Sequence, residues 1–513
     1  MARVRRLGVA ALCVLSLTAC ASTLQQQRDS VTTTGAGPLT VGGDGLSLAT
    51  APAPAASGGA ARVAAPPTAV APRAGSRPSA SSPVAASTAG GPRVSASAAA
   101  LIPTSGPGWD AHHVYLGITT ASDASGALHA LGISLDPGNE IADAKAIVAG
   151  LNKEGGLFGR QIVLIDKDDA SARVLSDPAG AGQADCVYFT QDHPVISVVN
   201  TDATLELDSF RSCFAHAHVP LVTVTTAPFD DGTEASLAPY FYNALSVSWT
   251  RLIPVLVSRL AAEHYFTGWN SLTGTPAPGP VKVGLLYGAD PTGSRIGAAL
   301  TKALRAAGVA TDHFQYDSAS DTAAALSAVL RFKADRVTHV IGVDSFQYFF
   351  MVAANTQGFL PRYGLTTYNA PQALLQSNGN ARQLAGAVGL GWYPSLDVDA
   401  TRSPSAGPNG RRCLAALAAG GQHFAGHRFA EAVGFAMCDG LQLGVLGAKA
   451  GHGLDPASIR SGIVALGPHY PTAGAFTSGL SQTNFALPGG ARDLAWNPSC
   501  KCFAYHGSTY PIR

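Results

Sequence analysis

Few residues in this 513-residue chain are arranged to make or break bonds. The stretch GADPTGSR, Gly288 to Arg295, has the G-x-x-x-x-G frame of a phosphate-binding loop, but Ser294 and Arg295 stand where a Lys followed by Ser or Thr is required. His216 with His218, and His423 with His427, each offer two metal ligands. The second pair would stand one turn apart on a helix, yet it lacks the Glu of a His-Glu-x-x-His site, and neither pair has an obvious third ligand nearby. They are expected to be surface or packed histidines. No Gly-x-Ser-x-Gly elbow occurs, and no two carboxylates stand out as an acid and base. The expectation is therefore no catalytic residue, no metal, no cofactor and no enzyme.

What remains is hydrogen-bonding chemistry, and its placement depends on the elements that carry it. VYLGIT (Val114 to Thr119) reads as a buried strand, followed by a helix over Asn139 to Glu154 with Ile141, Ala144, Ile147, Val148 and Leu151 on one face. Gly155 and Gly156 stop that helix before the strand QIVLID, Gln161 to Asp166. The alternation continues through VISVV (Val195 to Val199), a helix around Leu205 to His216, and PLVTVT (Pro220 to Thr225). After a gap near Ser246 it restarts with a helix at Thr250 to His264, VKVGLLY (Val281 to Tyr287), a helix at Ser294 to Ala307, THVIGV (Thr338 to Val343) and a helix around Phe346 to Gln357. This pattern predicts an α/β fold of two doubly wound parallel-sheet lobes.

Open parallel sheets bind ligands outside the carboxyl ends of their strands. The first lobe offers Thr120, Ser122 and Asp123, then Asn200, Thr201 and Asp202, then Thr225 and Thr226 at those ends. The second offers Tyr287, Asp344 with Ser345, and Tyr368 with Asn369. Some of these residues are expected only to cap helices.

The amino terminus carries Arg3, Arg5 and Arg6 and then an apolar run, Leu7 to Leu17, too short for a permanent membrane span; it reads as a secretory signal peptide over residues 1–20. LTAC, Leu17 to Cys20, resembles the lipobox of bacterial lipoproteins, in which the Cys receives a diacylglycerol and becomes the new amino terminus. Cys20 is thus the expected membrane anchor. Residues 21–112 are rich in Ala, Pro, Ser, Gly and Thr, with no aromatic residue before Trp109, and are expected to form a disordered linker with a reach on the order of 50 Å. No later segment reads as a transmembrane helix. Beyond residue 110 the chain holds 26 basic and 30 acidic residues, which leaves no basic surface for nucleic acid. An even set of six cysteines in an exported chain favours disulfides. Six allow fifteen connectivities; nearest neighbours would join Cys186 to Cys213, Cys413 to Cys438, and Cys500 to Cys502.

The segment GNEIADAKAIVAGLNKEGGLFGRQIVLIDKDDA, Gly138 to Ala170, resembles the first helix, Gly-Gly turn and second strand of type I periplasmic binding proteins, the Leu/Ile/Val-binding branch associated with ABC importers. Asn152, Gly155, Gly156, Leu157, Gly159, Arg160, Asp168 and Asp169 fill that family's places. HVPLVTV, VKVGLLYGADPTGSRIGAAL and AVGLGWYP (Ala387 to Pro394) follow in the family's order, and the likeness covers Val114 to Arg513. It implies residues 113–246 and 389–470 in the first lobe, 247–388 in the second, and C-terminal strands within 471–513 returning to the second. It also implies a small-molecule ligand, an amino acid or related metabolite, an ABC permease as partner, and first-lobe loops that grip a carboxylate. A sensor or scaffold of the same fold is the alternative. One departure stands out: the family's acidic partner for the ligand's ammonium is absent from the loop TTYNAPQ, and Asp344 is the nearest substitute.

Overall fold

The computed structural model describes residues 102–130, 132–376 and 381–512. The signal peptide, Cys20 and the linker as far as residue 101 lie outside the described residues.

The first lobe is built on a five-stranded parallel sheet, β2-β1-β3-β4-β5, made of β1 (His113–Thr120), β2 (Gln161–Asp168), β3 (Val198–Asn200), β4 (Leu221–Thr223) and β5 (Phe241–Asn243). Between β1 and β2 runs the helix Glu140–Lys153, whose N-cap Asn139 accepts the amide of Ala142. It ends at Gly155 and Gly156, both at positive φ; a Cβ on Gly156 would lie 2.1 Å from the Arg160 carbonyl oxygen, so only glycine fits. Asn152 then pairs with both backbone groups of Ile162, which fastens the turn to β2.

A small ribbon of β6 (Trp269–Asn270) and β7 (Thr275–Pro276) precedes the second sheet. That sheet has the order β14-β13-β12-β11-β10-β8-β9. β8 (Lys282–Gly288), β9 (Ala310–Tyr316), β10 (His339–Gly342), β11 (Arg362–Thr366) and β12 (Val388–Gly391) are parallel, and β13 (Gly490–Asn497) and β14 (Cys502–Pro511) are antiparallel additions on one edge.

Three segments connect the lobes, and two of the boundaries expected from sequence shift. β12 lies wholly in the second sheet, so the chain returns to the first lobe at Trp392 and Tyr393 rather than at residue 389. Residues 471–487 do not leave the first lobe at once: the amide of Asn243 donates to the Phe485 carbonyl, and that of Leu487 donates to the Asn243 carbonyl, which extends the β5 edge before β13 begins. Residues 102–112, expected in the linker, belong to the first lobe. Trp109 is buried and its indole N–H donates to the Pro103 carbonyl, while Arg160 donates to the carbonyls of Asp110 and Pro103. Trp109 is the first aromatic residue after the Ala-, Pro-, Ser-, Gly- and Thr-rich stretch, and its apolar surface favours burial.

The helix Arg428–Gly451 corrects another expectation, since by length and composition it matches a membrane span. Most of it is buried within the first lobe against the helices Glu140–Lys153 and Pro456–Leu466 and strands β3 and β4, as a core helix would be. Disulfides join Cys413 to Cys438, Cys186 to Cys213, and Cys500 to Cys502 across the β13–β14 turn.

Candidate functional site

The carboxyl ends of the two sheets carry the loops singled out by sequence, and the lobes touch there. Arg295, from the helix Pro291–Ala306 of the second lobe, grips Asp230 at the start of the first-lobe helix Asp231–Leu237. Tyr348 donates to the Gly132 carbonyl, and Ile133 packs on the second lobe's apolar cluster. These contacts join the rims of the two lobes.

In the first lobe, several expected ligand contacts are instead consumed by the fold. Asn200 is fully committed: its carbonyl oxygen accepts from Thr119 at 2.7 Å and from the amide of Asp202, and its amide nitrogen donates to Glu206 and to the Asp202 carbonyl. Thr225 donates to Glu206 and accepts from the amide of Ala227. Both serve the buried Glu206–Arg211 pair at 2.9 Å, because a desolvated carboxylate must gather donors. Ser122 gives its amide and hydroxyl to Asp168, and Asp123 accepts both from Ser171, lacing the loops after β1 and β2 together. Thr226 is half-buried.

Two features stay open at the ends of β1 and β3. The Thr120 hydroxyl is buried without a hydrogen-bond partner. Thr201 sits 2.9 Å from the Thr119 carbonyl and 2.8 Å from a carboxyl oxygen of Glu140. Burial, with lesser contributions from nearby Asp202 and Asp143, pushes the Glu140 carboxyl up to about 7 against the bond to Thr201. Glu140 was missed by sequence reading because an acid in a first helical turn is already explained by the helix dipole.

In the second lobe, the Tyr287 ring packs over Gly297, where a Cβ would meet it at 2.4 Å, and near His313. Asp344 is nearly buried, accepts the amide of Phe346 at 2.9 Å, and is pushed up to about 6 by burial against the Tyr316 hydroxyl beside it. Tyr316 stacks on Phe346 with centroids 3.9 Å apart. Ser345 is exposed at the start of the helix Phe346–Thr356. Asn369 is spent on structure, donating to the carbonyls of Gly342 and Asp344 and accepting from the amide of Thr366.

Tyr368 belongs to the hinge rather than to a ligand wall. It is fully buried, stacked on Trp249 at 5.2 Å and edge-on to Trp392 at 5.5 Å, and its hydroxyl donates to the Val247 carbonyl. The Trp392 indole N–H donates to the Leu245 carbonyl at 2.9 Å. Two of the three connecting segments are thereby welded through one aromatic cluster.

The histidine pairs take structural places. His216 bonds the Ser212 carbonyl within its own helix, His218 stacks on Tyr240, and His423 and His427 lie in an exposed loop rather than one turn apart on a helix. Glu263, Asp493 and His506 converge, but Arg259 occupies Asp493, which makes the group an ion-pair network.

Two parallel-sheet lobes, joined by three segments and meeting at the carboxyl ends of their strands, define a two-lobed solute-binding protein. The periplasmic binding protein family matches residues 122–412, and the chain belongs to it: the class of solute-binding proteins of ABC transporters, which hold small ligands. Solved structures share the fold. An extracellular ligand-binding receptor from Verminephrobacter eiseniae is 16% identical, with a TM-score of 0.55 over 78% of this chain and 99% of its own. A solute-binding protein of an ABC transporter from R. palustris, in complex with 4-hydroxybenzoate, is 14% identical, with a TM-score of 0.56 over 78% and 98%. A branched-chain amino acid ABC transporter protein from Thermus thermophilus, with bound valine, is 13% identical, with a TM-score of 0.54 over 78% and 96%. No curated protein matches the chain by sequence.

Proposed function

We propose that this chain is a lipid-anchored, extracytoplasmic receptor that captures a small polar solute between its lobes and presents it to an ABC permease. The observation that carries this reading is the pairing of strand-end loops with a welded hinge: Thr120, Thr201 and Glu140 on one wall and Asp344 and Tyr287 on the other belong to lobes that touch across their rims. A ligand held by both walls stabilises closure, and a permease then distinguishes the loaded shape. Valine and 4-hydroxybenzoate in structures of the same fold support a small metabolite as ligand. Lipid on Cys20 with a long linker keeps the receptor near its permease while leaving it free to search.

Trp392, buried at a crossover, is the reporter. Its emission should shift when the right solute is added from a panel of amino acids, amides, amines and small acids. A panel that leaves both the emission and the interlobe distance unchanged would remove the receptor reading and leave only the fold. The anchor is tested separately: Cys20→Ser should release the protein from membranes or leave the signal uncleaved, and unchanged membrane association would refute it.

A further inference from the structure

Resting on the receptor reading, the polarity of the first-lobe wall indicates which charge the solute carries. Thr201 has one hydroxyl proton but lies within bonding distance of two acceptors, the Thr119 carbonyl and Glu140. If that proton goes to the carbonyl, the contact with Glu140 must be made by a proton on the carboxyl itself. Its burial, and the acids Asp202 and Asp143 nearby, favour that neutral form. Asp143, one turn along the same helix, is 0% exposed and neither of its oxygens has a hydrogen-bond partner. Thr120, 2% exposed and likewise without a partner, follows Thr119, whose carbonyl lies 2.9 Å from the same Thr201 hydroxyl. Among the described residues no Arg, Lys or His forms an ion pair with Glu140, Asp143 or Asp344. Arg295, the guanidinium at the lobe junction, is committed to Asp230. A carboxylate entering this wall would meet acids and no cation, whereas an ammonium would find an acceptor set awaiting a charge.

We propose that the solute is an amine-bearing cation whose ammonium is taken by Glu140 together with the Thr120 and Thr201 hydroxyls. Binding then breaks the Glu140 O–H bond, sends that proton to solvent, and leaves a carboxylate paired with the ammonium.

The test is calorimetric titration of the purified full-length protein with charge-matched probes: isobutylamine against 3-methylbutanoate, which are valine without its carboxylate and without its amine, and 4-hydroxybenzylamine against 4-hydroxybenzoate. Titrations at pH 6 and pH 8, in buffers of different ionisation enthalpy, count the protons released. In at least one pair the amine should bind about tenfold or more tightly than the acid. Proton release should approach one at pH 6 and fall towards zero at pH 8, because Glu140 is mostly ionised above about 7. Glu140→Gln should abolish the release and weaken the amine by about tenfold. A cooperative melting transition of the Glu140→Gln protein close to that of the wild type separates a local effect on the first wall from a folding defect. If an acid probe binds better than its amine partner and Glu140→Gln weakens neither, the cation assignment falls while the receptor reading stands. If no probe of either charge produces heat or shifts Trp392 emission, both readings fall together.

Discussion

Arg295 and Asp230 join the two lobes by a two-pronged ion pair: the guanidinium Nε lies 2.6 Å from one carboxylate oxygen and a terminal nitrogen 2.8 Å from the other. The same terminal nitrogen reaches the hydroxyls of Thr233 and Thr292, which are themselves 3.2 Å apart across the lobe junction. Asp230 also caps its own helix by accepting the amide of Thr233. Burial works against the charged carboxylate, but the bonds from Arg295 and Thr233 outweigh it and hold Asp230 below the usual carboxylate range. The pair spans the lobes, so it exists only when they are together and acts as a latch.

Arg295→Ala should therefore open the ligand-free protein. Half of the Arg295 side chain is exposed, so the pair contributes about 1 kcal/mol, roughly a fivefold change in the closed fraction. Spin labels on the two lobes would read this as a longer interlobe distance, and salt at about 1 M should mimic the substitution because such pairs are screened. Identical distance distributions for the wild type and the variant would dismiss the latch.

The hinge cluster predicts a stability effect rather than a binding effect. Tyr368→Phe removes the donor to the Val247 carbonyl and leaves that buried acceptor unpaired, at a cost of about 1–3 kcal/mol, while the stack on Trp249 remains. Chemical denaturation followed by Trp emission measures it. A midpoint equal to that of the wild type would show that the Tyr368 bond is replaced by water.

Stability should fall as pH rises from about 5 to about 8. Asp439 accepts the amides of Ala473 and Gly474, yet burial outweighs these bonds and pushes it up to about 7; Asp397 and Asp143 are likewise pushed to about 7 by burial. Unfolded aspartates titrate near 3.9. Through the interval between these values the folded chain binds protons that the unfolded chain releases, so the stabilisation is complete below the unfolded value and lost as pH climbs through the folded one. His339, pushed down to about 4 by burial, acts in the opposite sense but is a single group. Melting temperatures should be higher at pH 5.5 than at pH 8, and Asp439→Asn should flatten the slope; a melting temperature that climbs across this range would contradict the assignment of buried neutral acids.

Reductant should open the three disulfides in order. Cys500 and Cys502 lie two residues apart at a hairpin turn, with Cys500 partly exposed, whereas Cys413 and Cys438 are buried and enclose a separation of 25 residues. Mass spectrometry after stepwise dithiothreitol should find the hairpin pair reduced first, with little loss of melting temperature. Replacing Cys413 and Cys438 together by Ser should cost about 2–5 kcal/mol. Early reduction of the Cys413–Cys438 pair would count against the core around it being closed.

The local signals in the chain were sufficient for the fold. Alternation of β-branched runs with amphipathic stretches, and glycines at a turn where a Cβ cannot fit, depend on neighbours within a few residues, so the two parallel-sheet lobes and the Gly155–Gly156 turn were legible without coordinates. The site was legible only as a set of loops. Asn200, Thr225 and Asn369 stand at strand ends with the right chemistry, but their hydrogen-bonding capacity is spent on Glu206, Gly342 and Asp344, partners that only folding brings within reach. Tyr368 reads as a loop residue and becomes hinge core because Trp249 and Trp392, distant in sequence, close over it. Cysteine spacing left fifteen connectivities open, and proximity in space selects one of them. Glu140 looks like an ordinary first-turn acid until the end of β3 places Thr201 against it. Secondary structure follows from short-range periodicity, whereas the charge state and availability of a side chain follow from desolvation and from contacts between residues far apart in the chain, and those exist only once the two sheets are packed.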